Sequence, residues 1–201
     1  MKQGMFGARS LGLVASIATM ALVPAQAQAT TAANYGNPSG CPSATAAQAF
    51  LSWGDSNWYT QVPGQRTTGF AGGAGWVLSG GAKIVTTRLA EGSAGTVLDL
   101  PSGAQAVSPT ICVTSDDPDA RAVVRDVAGA GGLSVTVSYG AKDKHTGNLK
   151  ASGSTWGLTA TANLHTNRVA GGVPVTLTLT PSGKGTEEQV YDLEVDPRFG
   201  R

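Results

Sequence analysis

Period-two alternation of apolar with small or polar residues, turn clusters about ten to fifteen residues apart and a shortage of helical periodicity predict an all-β chain. The expected form is a two-sheet antiparallel β-sandwich, jelly-roll-like, with one short N-terminal helical turn. The 201 residues include 28 Gly and 10 Pro, enough to punctuate many short strands.

The chain opens on a basic start (Lys2, Arg9), an apolar run from Leu11 to Val23 and the small-residue site Ala27-Gln28-Ala29. This pattern reads as a secretory signal over residues 1–29, since the run is too short and too rich in Ala, Gly and Ser for a spanning helix. Cys41 lies too far beyond it to be a lipid-modified cysteine, Arg9 has no twin, and no second apolar tail suggests an anchor at the C-terminus. Release without a membrane partner is expected. Residues 30–40 have a linker's composition and are expected to be flexible, leaving one sandwich domain over residues 41–201.

Within that domain Ser43 offers an N-cap, and Ala46, Ala47, Ala49, Phe50 and Leu51 supply helix formers, so the helical turn is placed over Ser43–Ser52. Strands are expected at Trp76–Leu78, Ala82–Thr87, Thr96–Leu100, Thr110–Thr114 and Ala120–Val127. The series continues with Leu133–Tyr139, Ser154–Thr159, Val175–Thr180 and Glu188–Val195. Ser79-Gly80-Gly81, Glu91-Gly92-Ser93, Pro101-Ser102-Gly103, Asp116–Asp119, Gly129–Gly132 and Pro181-Ser182-Gly183 supply the intervening turns.

Signal removal leaves 172 of the 201 residues, with 12 basic side chains against 13 acidic ones. Such a balance, without a basic run, speaks against nucleic-acid binding. The two cysteines, Cys41 and Cys112, form an even pair in an exported chain and are expected to make one disulfide rather than a metal site.

Trp53, Asp55, Asn57, Trp58 and Tyr59 put flat aromatic faces beside short polar groups, the combination that sugars use. The same aromatics serve equally to pack a sandwich, and that is the heavier reading. Asp192 and Glu194, two apart on one strand, would place carboxylates about 6 to 7 Å apart, within a glycosidase's reach. With Tyr191, Leu193 and Val195 as the apolar complement, they read instead as a row facing water. Trp76 and Trp156 fall in strand patterns and are expected in the core, while His145 and His165 stand apart on loops. Ser93 lacks a G-x-S-x-G setting, Lys184-Gly185-Thr186 lacks phosphate-loop spacing, and Asp116–Asp119 reads as an Asx-type turn.

Taken in order, Phe50-Leu51-Ser52-Trp53-Gly54-Asp55, Tyr59 with Val62-Pro63-Gly64, Phe70, Gly75 through Ala82, and Val195-Asp196-Pro197 resemble a family of uncharacterised secreted actinobacterial proteins. Cys41, Cys112, Arg121 and Trp156 fall where that family places a Cys pair, an Arg-led strand and a late Trp. The family is in turn similar to galactose-binding-type jelly-roll domains, the form of many carbohydrate-binding modules. In those modules two carboxylates commonly hold a structural calcium. The matching positions here are Ala71 and Tyr191, so the resemblance implies no metal unless Asp192 or Asp55 substitutes.

These observations lead to a secreted, non-catalytic binding or envelope-associated protein without cofactor, with an extracellular glycan or cell-envelope component as partner. An extracellular protein-interaction domain is the alternative, and a glycoside hydrolase using Asp192 and Glu194 comes third.

Overall fold

The computed structural model describes residues 45–65, 70, 75–113, 119–139, 143–150, 153–165 and 173–196. The expected signal segment, the linker, Cys41, Ala71 and most of the Asp116–Asp119 turn lie outside the described residues. No described cysteine is a free thiol.

Strands are numbered along the chain. The first sheet contains β1 (Ala46–Ala47), β2 (Tyr59–Gln61), β4 (Lys83–Arg88), β5 (Ala94–Pro101), β8 (Asp119–Ala128), β11 (Gly157–Leu158), β12 (Ala162–Asn163) and β14 (Glu187–Asp196). The second contains β3 (Val77–Ser79), β6 (Gln105–Val107), β7 (Ile111–Val113), β9 (Gly132–Tyr139), β10 (Asp143–Leu149) and β13 (Val173–Ser182). From β5 onward the chain passes repeatedly between the sheets, and the pairings are antiparallel, for example β14 with β8 and β13 with β9. The architecture is a jelly-roll-like β-sandwich.

Alternation decides which side chains meet between the layers. In β13, Val175, Leu177 and Leu179 are buried while Thr176, Thr178 and Thr180 are half-exposed. They join Leu98, Leu100, Val124 and Val190 of the first sheet in one apolar cluster. Truncating any of these leucines to Ala costs about 2–5 kcal/mol, because a close-packed interior collapses only partly around the lost atoms.

Three expectations change. The segment Ser43–Ser52 contains the two-residue strand β1, paired with β2, and then a 3-10 turn at Leu51–Trp53 closed by the left-handed Gly54. Pairing at a sheet edge and full burial of Phe50 override weak helix propensity over so few residues. The expected strand Ser154–Thr159 shrinks to β11. Strand β10 is absent from the expected series because it is an edge strand whose Lys144, Thr146 and Asn148 face solvent, so it carries no apolar alternation. One turn depends on glycine: at Gly80, with φ of +62°, a Cβ would fall 2.2 Å from the Gly103 carbonyl oxygen.

Strand β14 is the spine of the first sheet. One edge pairs with β8; the other is shared by β5, as far as Val190, and β2, from Glu194. Between Tyr191 and Glu194 the register against β8 shifts by a bulge. Gln65 fills the gap on the shared edge. Its Nε2 donates to the carbonyls of Leu193 (2.8 Å) and Val62 (3.0 Å), and its Oε1 accepts the Leu193 N–H at 2.9 Å. A buried carboxamide thus acts as the missing stretch of neighbouring strand.

Replacing Gln65 should expose that dependence. Gln65→Ala leaves the Leu193 N–H and a buried carbonyl unpaired, and stability measured by chemical denaturation is expected to fall by about 2–4 kcal/mol. Gln65→Glu, isosteric but unable to donate to those carbonyls, should be nearly as damaging. A loss below about 1 kcal/mol in both variants would remove Gln65 from this role.

Candidate functional site

Lys83, Asp99, Gln189 and Arg125 occupy matching register positions on β4, β5, β14 and β8. One residue along each strand, Ile84, Leu98, Val190 and Val124 lie on the core-facing side, so the row of four lies on the opposite face, where Lys83 is exposed, Arg125 is half-buried and Asp99 and Gln189 are buried. Three strand spacings make it about 14 Å long. Its members are joined end to end. Lys83 Nζ lies 3.2 Å from Asp99 Oδ2, and Gln189 Nε2 donates to Asp99 Oδ1 at 2.8 Å. Arg125 donates to Gln189 Oε1 from Nε (3.0 Å) and Nη2 (2.6 Å), and to Thr87 Oγ1 from Nη2 at 3.0 Å.

The Arg125 end of the row meets aromatic residues. Its guanidinium carbon lies 4.4 Å from the Trp156 ring centroid, a cation–π contact, and Trp156 stands edge to face with Tyr191 at 4.8 Å. Trp156 Nε1 donates to the Arg88 carbonyl at 2.8 Å, and the Ala90 N–H donates to the Tyr191 hydroxyl at 3.4 Å. These contacts fasten the β4–β5 turn beside the ring. Trp156 was expected in the core; it packs against the core yet is only half-buried, because the short β11 leaves it at the sheet margin. Trp76 is buried, with Nε1 donating to the Pro63 carbonyl at 3.1 Å.

The aromatic cluster selected from the sequence sits near β2. Asp55 accepts hydrogen bonds from the Tyr59 hydroxyl and Arg121 Nη1 on one oxygen, and from the Asn57 N–H at 3.0 Å on the other. Arg121 Nε also donates to the Thr159 carbonyl at 2.5 Å, tying β8 to the segment after β11. Burial pushes the Asp55 carboxyl up, but Tyr59, Asn57 and Arg121 together outweigh it and hold the pKa below the ordinary value. Tyr59, fully buried against Phe50, is pushed up to about 12 by burial and by its bond to Asp55. Trp53 is half-buried and packs on the core, while Asn57 and Trp58 are half-buried. Asp55 and Tyr59 therefore serve an internal network whose cation, Arg121, comes from a distant strand.

Asp192 and Glu194 do not form a row facing water. Glu194 is only 3% exposed. Asp192 lies in the bulge with φ of +48°, and its buried Oδ1 has no hydrogen-bond partner. Simple i, i+2 alternation fails because the bulge inserts a residue between them. Burial, then Glu91, pushes Asp192 up to about 7; burial, then Asp192, pushes Glu194 well above the ordinary range against an opposing bond from Gln61. At the other end of β14, Glu188 is fully buried opposite Asp126 and is pushed up to about 8 by burial and by that neighbour.

The histidines do not stand apart. His145 lies on β10 and stacks on His165 at 4.5 Å, while Tyr139 donates to the Leu164 carbonyl at 2.6 Å and meets His145 edge to face. Among the described residues no three His, Cys, Asp or Glu side chains converge as metal ligands would.

No family model matches the chain, and no curated protein matches it by sequence. Solved structures do match. A CBM61 structure in complex with β-1,4-galactotriose has 14% identity and a TM-score of 0.40, covering 65% of this chain and 94% of that one. The CBM22-1 xylan-binding domain from Paenibacillus barcinonensis has 16% identity and a TM-score of 0.40, covering 61% and 85%. An arabinose-bound α-L-arabinofuranosidase has 16% identity and a TM-score of 0.49, covering 70% of this chain and 27% of its own.

The buried acids set a pH dependence. Unfolded, Asp192 and Glu188 titrate near 4; folded, they hold protons up to about 7 and about 8. Between those limits the native state binds more protons, so stability is greatest on the acid side and falls as pH rises through 7 to 8. Asp55, shifted the other way, loses its contribution only below the ordinary carboxylate range. Melting temperature is expected to drop from about pH 5 to about pH 8, and Asp192→Asn should flatten the part of that slope below about pH 7. A profile that rises over this interval would show that both acids are ionised in the fold.

Proposed function

We propose that the chain is exported and acts as a non-catalytic binding domain that holds an extracellular or cell-envelope glycan on the outer face of its first sheet. One observation carries the reading: the row from Lys83 to Arg125, whose polar groups are fixed by one another and which ends at the half-buried Trp156. Sugars present hydroxyls and apolar C–H faces, and an aromatic ring beside directed donors and acceptors suits both. Asp99 and Gln189 already hold Lys83 and Arg125 in place, so little side-chain freedom would be lost on binding. The half-buried Trp53 and Trp58 are a separate candidate contact, their segment fixed to β8 by the Asp55 bonds to Tyr59 and Arg121. A non-catalytic role is supported by the burial of Glu194, which withdraws its carboxylate from any substrate. Export rests on the signal pattern of residues 1–29, and a Cys41–Cys112 bridge would anchor the start of the domain to β7.

Two measurements test this reading. On a polysaccharide array the mature chain should retain at least one glycan, and Trp156→Ala should weaken that binding about ten-fold or more. Val77→Ser, on the exposed edge strand β3 of the other sheet, should bind as wild type. Folded wild-type protein that retains no glycan would overturn the proposal. Intact mass without reductant should be about 2 Da below the reduced mass, and an unchanged mass would disprove the bridge.

A further inference from the structure

The hydrogen bonds of Arg125 all go to neutral acceptors. Nε and Nη2 are taken by Gln189 and Thr87, while Nη1 makes no hydrogen bond to a described residue. Among the described residues the ion pairs are Lys83 with Asp99 and Arg121 with Asp55, so the half-buried Arg125 guanidinium has no carboxylate partner. Arg88, whose carbonyl accepts the Trp156 N–H, is in the same condition: its Nη1 donates only to the Gly92 carbonyl, at 3.1 Å. Glu91 and Asp192 lie close enough to Tyr191 to act on its hydroxyl, yet neither pairs with Arg125 or Arg88.

The arrangement differs from the Asp55–Arg121 pair, where the fold supplies the anion itself. A guanidinium held by an amide, a hydroxyl and an indole ring, with two N–H groups left over and no carboxylate partner among the described residues, has the chemistry to receive an oxyanion. We infer that Arg125 marks a subsite for an anionic sugar, one bearing a uronate carboxylate or a sulfate ester, whose oxygen accepts from Nη1 while the sugar lies along the row toward Lys83. This inference rests on the glycan reading above and narrows its ligand class. Partial removal of the guanidinium from water strengthens such a contact relative to an exposed one, and bulk salt weakens whatever part stays accessible.

Matched polymers provide the test: polygalacturonate against galactan, and dextran sulfate against dextran, titrated with the full mature chain. At least one anionic member should bind about ten-fold or more tightly than its neutral counterpart, and the two pairs distinguish carboxylate from sulfate. That advantage should shrink as NaCl is raised from about 0.05 to about 0.5 M, while binding of any neutral polymer holds steady. Arg125→Gln should remove the advantage, and Arg125→Lys should keep part of it. Should either variant fail to fold, as judged by circular dichroism, the wild-type selectivity and salt series decide. Equal affinity for both members of each pair, or an anionic preference that survives in folded Arg125→Gln, would overturn the inference and leave glycan binding standing. Absence of binding to all four polymers and to the wider array would overturn the glycan reading and this inference with it.

Discussion

The first sheet depends on how the backbone of β14 finds partners along an edge that two strands share. Strand β5 stops pairing at Val190 and β2 starts at Glu194; Gln65 satisfies Leu193 between them. The Val62 N–H also donates to the Leu193 carbonyl at 3.1 Å, so the distinct contribution of this side chain is to pair the Leu193 N–H and the Val62 carbonyl, groups that would each cost about a hydrogen bond if buried unpaired. The bulge opposite β8 follows from the same junction. It places Asp192 in a left-handed conformation and returns Glu194 to register with Arg121 and Gln61.

Two ways of burying charge coexist in the molecule. Asp55 is ionised because Tyr59, Asn57 and Arg121 converge on it, and loss of the arginine would strand a half-buried carboxylate. Glu188, Asp192 and Glu194 have no such cation among the described residues, and burial raises their pKa values well above the usual carboxylate range. The first arrangement locks the segment before β2 onto β8. The second ties the stability of β14 to the pH of its surroundings.

The polar row and the aromatic pair are held by contacts within the protein. Lys83, Asp99, Gln189 and Arg125 fix one another, and the β4–β5 turn is pinned by two side chain–backbone hydrogen bonds, from Trp156 Nε1 to the Arg88 carbonyl and from the Ala90 N–H to the Tyr191 hydroxyl. Side chains fixed in this way have little conformational entropy left to lose in any further contact. Because four different strands supply the row, its geometry belongs to the sheet and cannot be transplanted by any one segment.

The sequence by itself determined the layers. Alternation in Leu133–Tyr139 and Val175–Thr180 is a local property of successive residues, and the glycine-rich turns between strands are equally local, so the sandwich could be read directly. Local rules failed where a residue's role depends on a partner far along the chain. Strand β10 is polar because only one of its edges is paired; Trp156 stands half-open because β11 is short; Glu194 is buried because β2 and β8 flank it. The Asp55–Tyr59 cluster was legible as a group, but its cation lies 66 residues on, and Gln65 reaches Leu193 across 128 residues. Tertiary structure alone decided those pairings, since sheet register brings side chains together by strand order and a bulge shifts which of them meet.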